Sequence, residues 1–259
     1  MIYFLSDAHL GSRNIVDFKA HQQRLIDLLN DLAKDAEAIY MLGDMLDFWM
    51  EYFISDPSKR RFSPFFKALR QLESKGIRVH YFLGAHDRWT YGGLKALTKA
   101  EIHEYAFTTR IKGKQVYLHY GEGLHPYDWY RSYSVADQRR VRREMNKEKY
   151  YSNQALLTVF RFLPPSLGNA IGYRWAQGRL ADERALPKQF MGTKEPQIIF
   201  AKDEENHGNH RDYYIFGHRH LAQDFALSDT TRVIMLGDCF EQWTYARMDD
   251  NGEITLCTF

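Results

Sequence analysis

Four short polar segments, each directly after an apolar run, hold side chains of the kinds that bind divalent cations. They are Ser6-Asp7-Ala8-His9, Gly43-Asp44-Met45-Leu46-Asp47, Gly84-Ala85-His86-Asp87 and Gly217-His218-Arg219-His220. One such segment has little meaning by itself, because carboxylates and imidazoles often bond to turns and buried backbone groups. Four of them together predict a single site that binds divalent metal and supports attack on a phosphate.

The chemistry of phosphate esters explains why these residue types would be needed. Hydrolysis is slow because anionic oxygens repel the nucleophile, and two divalent ions about 3.5–4 Å apart overcome this by activating a water and neutralising the phosphoryl oxygens. A mixed set of imidazole and carboxylate donors suits Mn²⁺, Fe or Zn²⁺, whereas Mg²⁺ prefers oxygen donors alone.

The elements that would position these segments alternate along the first third of the chain. Apolar runs at 2–5, 38–42 and 77–83 predict buried strands. Leucine and phenylalanine at helical spacing predict helices near 16–34 and 65–76. This order predicts parallel strands with helices on both faces, a fold in which ligands bind at the carboxyl ends of the strands.

The second half of the chain has a different pattern. Alternation around the Lys112-Gly113-Lys114 turn predicts a hairpin over 105–118. Further strands are predicted at 213–216, 232–236, 244–248 and 254–258. We therefore expect a second, more antiparallel sheet that packs face to face on the first, with helices outside.

Residues 125–195 are rich in aromatic and arginine side chains and predict a helical insertion over the mouth of the site. Its candidate substrate-binding residues are Trp129, Arg139, Arg140, Arg142 and Arg143. An arginine run is commonly a solvated helix face, and the functional alternative is attraction of a phosphate or an anionic lipid headgroup.

Composition excludes several classes of protein. The chain has 259 residues, of which 44% are hydrophobic and 26% charged, and its formal net charge is +2, so nucleic acid is an unfavoured partner. Cys239 and Cys257 form no disulfide framework, and the first residues predict a core strand, not a signal peptide. We expect a cytoplasmic protein with, at most, contact at the inner face of the membrane. The sequence does not indicate an oligomeric state.

The spacing of the four polar segments resembles that of the calcineurin-like metallophosphoesterases, from residue 2 to the C-terminus. The chain is most similar to the bacterial UDP-2,3-diacylglucosamine diphosphatases of lipid A synthesis, which share SDxHLG, an aromatic residue after GDxxD, GHRH and a late LGD. The resemblance implies one domain over 1–259, an α/β (α+β) four-layer sandwich of two mixed sheets flanked by helices, with a helical cap at 125–195.

The resemblance also implies a role for each polar residue at the carboxyl ends of the strands. Asp7, His9 and His220 would ligate a first metal ion. Asp44 would bridge the two ions, and His218 would ligate the second.

The same resemblance implies roles for three further residues, a metal ion and a class of substrate. His86 would lie beside the scissile phosphate as an acid or electrostatic stabiliser, and Asp47 and Asp87 would orient metal ligands from behind. The expected ion is Mn²⁺, with Fe or Zn²⁺ as alternatives. The expected substrate is a phosphorylated small molecule or a nucleotide-sugar lipid.

Two positions depart from the family pattern, and both belong to the second metal. Ala85 replaces an amide ligand, and Tyr120 replaces an imidazole. His119 would point away from the site because strand side chains alternate, while a tyrosinate ligand would need a lowered phenol pKa. We therefore expect one well-held ion, with the second weak or absent.

Three functions remain open at this point. The protein could be a phosphoesterase, slower than its relatives or with a shifted substrate. It could be a catalytically weakened paralogue that binds a nucleotide or lipid phosphate headgroup. It could also be a generic phosphodiesterase acting on small soluble substrates.

Overall fold

The architecture is that of a computed structural model, which describes residues 1–124, 153–184 and 189–259. The strands in chain order are β1 (Ile2–Leu5), β2 (Ala38–Leu42), β3 (Arg78–Phe82), β4 (Glu101–His103), β5 (Phe107–Ile111), β6 (Lys114–His119), β7 (Tyr213–Phe216), β8 (Ala222–Ala226), β9 (Arg232–Leu236), β10 (Thr244–Met248) and β11 (Ile254–Thr258). They form a six-stranded sheet in the order β11-β10-β1-β2-β3-β4 and a five-stranded sheet in the order β5-β6-β7-β9-β8.

The helices flank the two sheets. They are α1 (Phe18–Leu32), α2 (Ser63–Ser74), α3 (Gly93–Thr98), α4 (Gln154–Arg161), α5 (Pro165–Arg184) and α6 (Pro196–Asn206), with short 3₁₀ helices at Pro57–Phe62 and Gly192–Lys194. Asp17 caps the N-terminus of helix α1, and its side chain accepts a hydrogen bond from the Ala20 amide at 3.0 Å. Its leucine stripe is buried, as the sequence predicts.

Period-2 alternation along the strands builds four layers. In β1, Ile2 and Phe4 pack between the two sheets, whereas Tyr3 and Leu5 pack on the side of helices α1 and α2. In β7, Ile215 lies between the sheets and its neighbours pack on the side of α6. The expected α/β sandwich of two mixed sheets flanked by helices is therefore confirmed.

The expectation of a more antiparallel second sheet is wrong in detail. Strand β6 pairs in parallel with β7, and β7 with β9, so only the outer strands β5 and β8 are antiparallel to their neighbours. The hairpin of β10 and β11 joins the first sheet instead. Helices α4, α5 and α6 lie between β6 and β7 in the chain, whereas strand β8 lies between β7 and β9. Both connections are long enough to return the chain in the same direction, which is the requirement for parallel pairing.

Two strands were not predicted from the sequence. Strand β4 has three residues, and β8 has the sequence Ala-Gln-Asp-Phe-Ala, which is partly exposed and does not alternate. Both lie at a sheet edge, where pairing with one neighbour determines the strand and leaves a weak pattern in the sequence.

Helices α4 and α5 pack beside the loop that follows β2. Phe48, Met50, Tyr52 and Trp89 form a buried apolar cluster with Ala176 of α5 and other residues of the two helices. The boundaries predicted for a cap, 125–195, stay a prediction, because 125–152 and 185–188 lie outside the described residues. Among the helices described, none has the length and apolar character needed to span a bilayer.

Candidate metal centre

Backbone pairing brings the first two polar segments together. Strands β1 and β2 are parallel neighbours, with Leu5 opposite Met41. Beyond the strands, the Asp7 amide donates to the Gly43 carbonyl at 3.0 Å, and the His9 amide donates to the Asp44 carbonyl at 2.9 Å. The two carboxylates and the imidazole therefore lie at one edge of the sheet, as predicted.

The loops that bear these groups adopt an unusual backbone conformation. Among the described residues other than glycine, eight have positive φ, and five of these are the predicted metal ligands. They are Asp7 (54°), His9 (44°), Asp44 (52°), His218 (67°) and His220 (49°). Such conformations cost energy in residues with a Cβ and persist where the surrounding structure imposes them, commonly at functional sites.

Asp7, His9 and His220 form a first group of donors. One ligand atom of each lies within 4.8 Å of the others. The two imidazole Nε2 atoms are 3.3 Å apart, and Asp7 Oδ1 lies 3.6 Å from His220 Nε2 and 3.9 Å from His9 Nε2. These three residues are the ones predicted to ligate the first metal.

His9 belongs also to a second group of donors, with Asp44 and His86. All three side chains are fully buried. The Nδ1–H of His86 donates to the Asp47 carbonyl at 2.7 Å, and this fixes the tautomer, because a carbonyl can only accept. The Nε2 of His86 consequently faces Asp44, 4.0 Å from its Oδ2.

The close approach of Asp44 depends on Gly84. A Cβ added at residue 84 would overlap Asp44 Oδ1, which already accepts a hydrogen bond from the His86 amide at 2.7 Å. Glycine is the one residue that leaves room for the carboxylate at this point.

Carboxylates orient the histidines from behind. Asp47 Oδ1 lies 3.4 Å from His9 Nδ1, in the arrangement predicted for it. Asp238 does the same for His220, with Oδ2 3.1 Å from Nδ1. Burial opposes ionisation of Asp238, but the hydrogen bond and charge of His220 lower the pKa of Asp238 to about 2. Asp238 was not among the predicted site residues, although its Gly-Asp pair directly after an apolar strand was a usable signal.

Asp87 binds backbone amides and a phenol, not an imidazole. Its side chain accepts hydrogen bonds from the amides of Gly84 at 2.7 Å and Met45 at 3.0 Å, and from the Tyr81 hydroxyl at 2.6 Å. It therefore joins the loops after β2 and β3 and holds the segment that carries His86.

Tyr120 lies beside Asp44 and His218, where the sequence predicts the second metal ion. Its hydroxyl donates a short hydrogen bond to Asp44 Oδ2 and lies 3.1 Å from His218 Nδ1. The phenol has a single proton, so the Nδ1–H of His218 is the donor in the second contact. Ala85 is buried and supplies no donor atom. The phenol oxygen thus lies between Asp44 and His218, the two remaining donors predicted for a second ion.

The electrostatics of the buried carboxylates fit a cation. The His218 amide donates to Asp7 Oδ2 at 2.8 Å, yet burial raises the pKa of Asp7 to about 8, with His220 acting against the shift and Asp44 adding to it. Burial also opposes ionisation of Asp44, but His86 and His9 lower its pKa. A divalent ion among these donors would offset the cost of burying two negative charges, so the donor set fits such an ion.

Glu122 connects the centre to helix α5. Its carboxylate accepts from Arg179 of α5 at 2.6 Å and forms a short ion pair with Arg88, which follows the loop of His86. Burial opposes ionisation of Glu122, but Arg179 and Arg88 lower the pKa of Glu122 to about 2. In addition, the ring centroid of Trp175 on the same helix lies 5.2 Å from the ring centroid of His86.

Five predicted substrate residues cannot be placed in this geometry. Trp129, Arg139, Arg140, Arg142 and Arg143 all lie outside the described residues. His119, in contrast, accepts a hydrogen bond from the Gly121 amide at 3.0 Å and is absent from both donor groups at the centre, as strand alternation predicts.

Comparison with known proteins settles the family. A UDP-2,3-diacylglucosamine hydrolase of Porphyromonas gingivalis is 32% identical over 260 residues, which cover 96% of this chain and 94% of the relative. The chain belongs to the UDP-2,3-diacylglucosamine hydrolase family. A hydrolase of the same name from Pseudomonas savastanoi is 24% identical, and the alignment covers 97% of this chain and 93% of the relative. No family model matches the chain.

Solved structures are more distant. The phosphoesterase YfcE of E. coli aligns with 99% of this chain and 98% of its own, at 13% identity and a TM-score of 0.45. A dimetal phosphatase from Danio rerio aligns over the same shares with a TM-score of 0.44. Both superpositions are loose, so the family assignment rests on the sequence relatives. Membership of this family makes the protein a hydrolase, and the donor set described above fits a divalent metal ion.

Replacement of Gly84 by alanine tests the close approach of Asp44. We expect Gly84→Ala to displace the carboxylate and to reduce metal content, because its Cβ overlaps Asp44 Oδ1. Elemental analysis of the purified protein measures this. Gly178→Ala on α5 is the matched control, since a Cβ there meets no atom within 4 Å and alanine favours a helix. Equal metal content in both variants would contradict the argument.

A second prediction concerns Glu122 and pH. Glu122→Gln leaves Arg179 and Arg88 without their carboxylate and should lower the free energy of unfolding by about 3 kcal/mol at pH 7. Because the pKa of Glu122 is lowered by folding, its contribution is complete above about pH 4.5 and is lost as the pH falls toward about 2. Urea unfolding from pH 7 downward should therefore show the difference between parent and variant shrinking below pH 4.5.

The control for this prediction is Glu37→Gln. Glu37 pairs with Lys112 at the surface, where ion pairs contribute little. A loss in Glu122→Gln no greater than in Glu37→Gln would show that the buried ion pairs do not hold α5.

Proposed function

We propose that the protein hydrolyses the pyrophosphate of UDP-2,3-diacylglucosamine or a closely similar nucleotide-sugar lipid, releasing UMP and a lipid phosphate. One observation carries the proposal: Asp7, His9 and His220 converge within 4.8 Å beside the buried Asp44 in a chain that matches a relative named for this substrate over nearly its full length.

The metal and the protein divide the chemistry between them. A divalent ion, which we propose to be Mn²⁺ with Fe or Zn²⁺ as alternatives, would supply a water of lowered pKa and positive charge beside the phosphoryl oxygens. Asp7, His9 and His220 would hold it, with Asp44 alongside. The Nε2 of His86, directed by the bond from Nδ1–H to the Asp47 carbonyl, would stabilise or protonate a phosphate oxygen.

Helices α4 and α5 support a lipid as part of the substrate. Leu156, Val159 and Phe162 are between 50% and 70% exposed on α4 and just after it. The Phe162 ring contacts that of Phe53, itself half exposed, with centroids 4.5 Å apart. An exposed apolar surface of this kind is suited to acyl chains or a membrane surface.

One helix extends from that apolar surface to the catalytic centre. Leu167 and Ile171 near the start of α5 are about half exposed, whereas Trp175, one turn further along, contacts His86. We therefore propose that the acyl chains lie along α4 and the beginning of α5 while the pyrophosphate reaches His86. The enzyme would act at the inner face of the cytoplasmic membrane, with the arginine run at 139–143 attracting anionic headgroups.

Tyr120 favours a second candidate function. Its hydroxyl engages both Asp44 and His218, which would otherwise be available to a second ion. With one ion instead of two, part of the charge on the phosphoryl oxygens stays unneutralised. The alternative is therefore a weakened paralogue that binds the headgroup and turns it over slowly.

Assay of the lipid substrate tests the proposed function. Protein stripped of metal and reloaded with Mn²⁺ should release UMP from UDP-2,3-diacylglucosamine faster than it cleaves bis-p-nitrophenyl phosphate. His86→Gln should lower the rate with the lipid substrate about a hundredfold, because it removes the group facing the phosphate.

The control is His207→Ala, which changes an exposed histidine at the end of α6 and should leave the rate unchanged. No UMP release above a metal-free sample would reject the proposed activity. A preference for bis-p-nitrophenyl phosphate would instead favour a generic phosphodiesterase.

Restoring the two ligands expected for the second metal ion distinguishes a slow enzyme from a protein that only binds its ligand. Ala85→Asn combined with Tyr120→His should raise the metal content from one ion per chain to two and increase turnover roughly a hundredfold, since each few kcal/mol of transition-state stabilisation has that effect. Elemental analysis and the UMP assay measure both quantities.

Tyr120→Phe is the matched control, because it removes the hydroxyl without adding a ligand and should leave one ion per chain. If the double variant binds two ions and still shows no turnover, the scaffold lacks catalytic competence and the binding function is favoured.

A further inference from the structure

A third group of donor atoms lies away from the catalytic centre. It consists of His80 on β3 and Glu101 and His103 on β4. The parallel register places His80 opposite Glu101 and Phe82 opposite His103. Because side chains alternate along a strand, all three donor residues project from the same face of the sheet. This group shares no residue with the two groups at the catalytic edge.

The distances within this group match those of a tetrahedral metal site. His80 Nδ1 is 3.0 Å from His103 Nε2 and 3.3 Å from Glu101 Oε2, and His103 Nε2 is 3.6 Å from Glu101 Oε1. Ligands bound at 2.0–2.1 Å around a tetrahedral Zn²⁺ are roughly 3.3 Å apart. The two distances to Glu101 involve different carboxylate oxygens, and Glu101 is exposed enough to rotate. A rotation of this carboxylate would let the three donors bind one ion and leave a fourth position for water.

Aromatic rings fix both imidazoles in place. Tyr40 stacks on His80 with centroids 4.3 Å apart and planes 3° apart, and Phe82 stacks on His103 at 4.5 Å. The imidazole side chains are only 8% and 9% exposed, whereas the Glu101 side chain is 62% exposed. The donors are thus held rigidly on one side and remain open to solvent on the other.

The charge state of the group favours a cation. Burial lowers the pKa of His80 to about 4, and it lowers the pKa of His103, so both imidazoles are neutral near pH 7. Two neutral rings and a carboxylate then converge with more lone pairs than protons between them.

We propose that His80, Glu101 and His103 form a second metal site, separate from the catalytic centre, which binds Zn²⁺ or a similar late first-row cation. Imidazole and carboxylate donors are the set that such ions prefer. The ion would fasten the three-residue edge strand β4 to β3, whose carboxyl end leads to the loop of His86. The role is structural, and it does not depend on the substrate proposed above.

Zinc content of the full chain tests this proposal. The chelator-stripped protein, reloaded with Zn²⁺ and freed of excess by gel filtration, should retain about one equivalent more than Glu101→Ala or His103→Ala. Zn²⁺ should raise the Tm of the parent by about 5 °C more than that of Glu101→Ala, because an ion that binds the folded state stabilises it. Activity with Mn²⁺ should be unchanged in Glu101→Ala.

His210→Ala is the matched control. His210 is about half exposed and pairs with the partly buried Glu205 at 2.9 Å, and the described residues place no second imidazole with them in a donor group. This variant should keep the parent's zinc content and Tm response. Glu101 is exposed, so Glu101→Ala should fold even if His103→Ala does not. Zinc retained by Glu101→Ala at the parent's level, with the same Tm response, would overturn the proposal.

Discussion

Two buried carboxylates, Asp7 and Asp44, are the constraint on which the rest of this structure depends. The parallel pairing of β1 with β2 brings them together, and both are fully buried. Burial of two negative charges is costly unless each is hydrogen-bonded and paired with positive charge. The amides of His218 and His86 supply part of the compensation, and a cation held with the imidazoles of the centre would supply the rest. The left-handed backbone conformation occurs at Asp7 and Asp44 themselves and at three histidines of the centre.

The same constraint explains how Tyr120 changes the site. An imidazole at this position could bind a second ion with its lone pair. The phenol instead gives a proton to Asp44 and accepts one from His218. The hydrogen bond from the neutral phenol thereby stabilises the Asp44 carboxylate, at a place where a cation would otherwise be needed. Ala85 also supplies no ligand atom at this position. We therefore propose that the two residues together replace the second half of a metal site by a hydrogen-bonded support for the first half.

Contacts outside the two donor groups connect the loops of the centre to each other and to helix α5. Glu122 joins the loop of His86 to helix α5 through Arg88 and Arg179, and the same helix brings Trp175 against the His86 ring. Asp87 joins that loop to the one after β2. Helix α5, which borders the exposed apolar surface, is thus joined by ion pairs to the loop that carries His86.

The sequence alone determined the core strands, the helices between them and most residues of the candidate metal centre. Apolar runs that end in Asp and His segments predicted the core strands, the helices between them and the donor residues, because these patterns reflect local backbone periods and the order of elements. Strands β4 and β8 and the contact of Asp238 with His220 were not predicted. Strand β4 pairs with β3 and strand β8 with β9, each at a sheet edge, and the contact of Asp238 with His220 joins two loops, so all three leave only a weak pattern in the sequence. The tertiary structure decided which residues of β3 and β4 share a face of the sheet. It also decided that the Tyr120 hydroxyl lies between Asp44 and His218. Strand register and side-chain direction arise only when segments separated in sequence pack together.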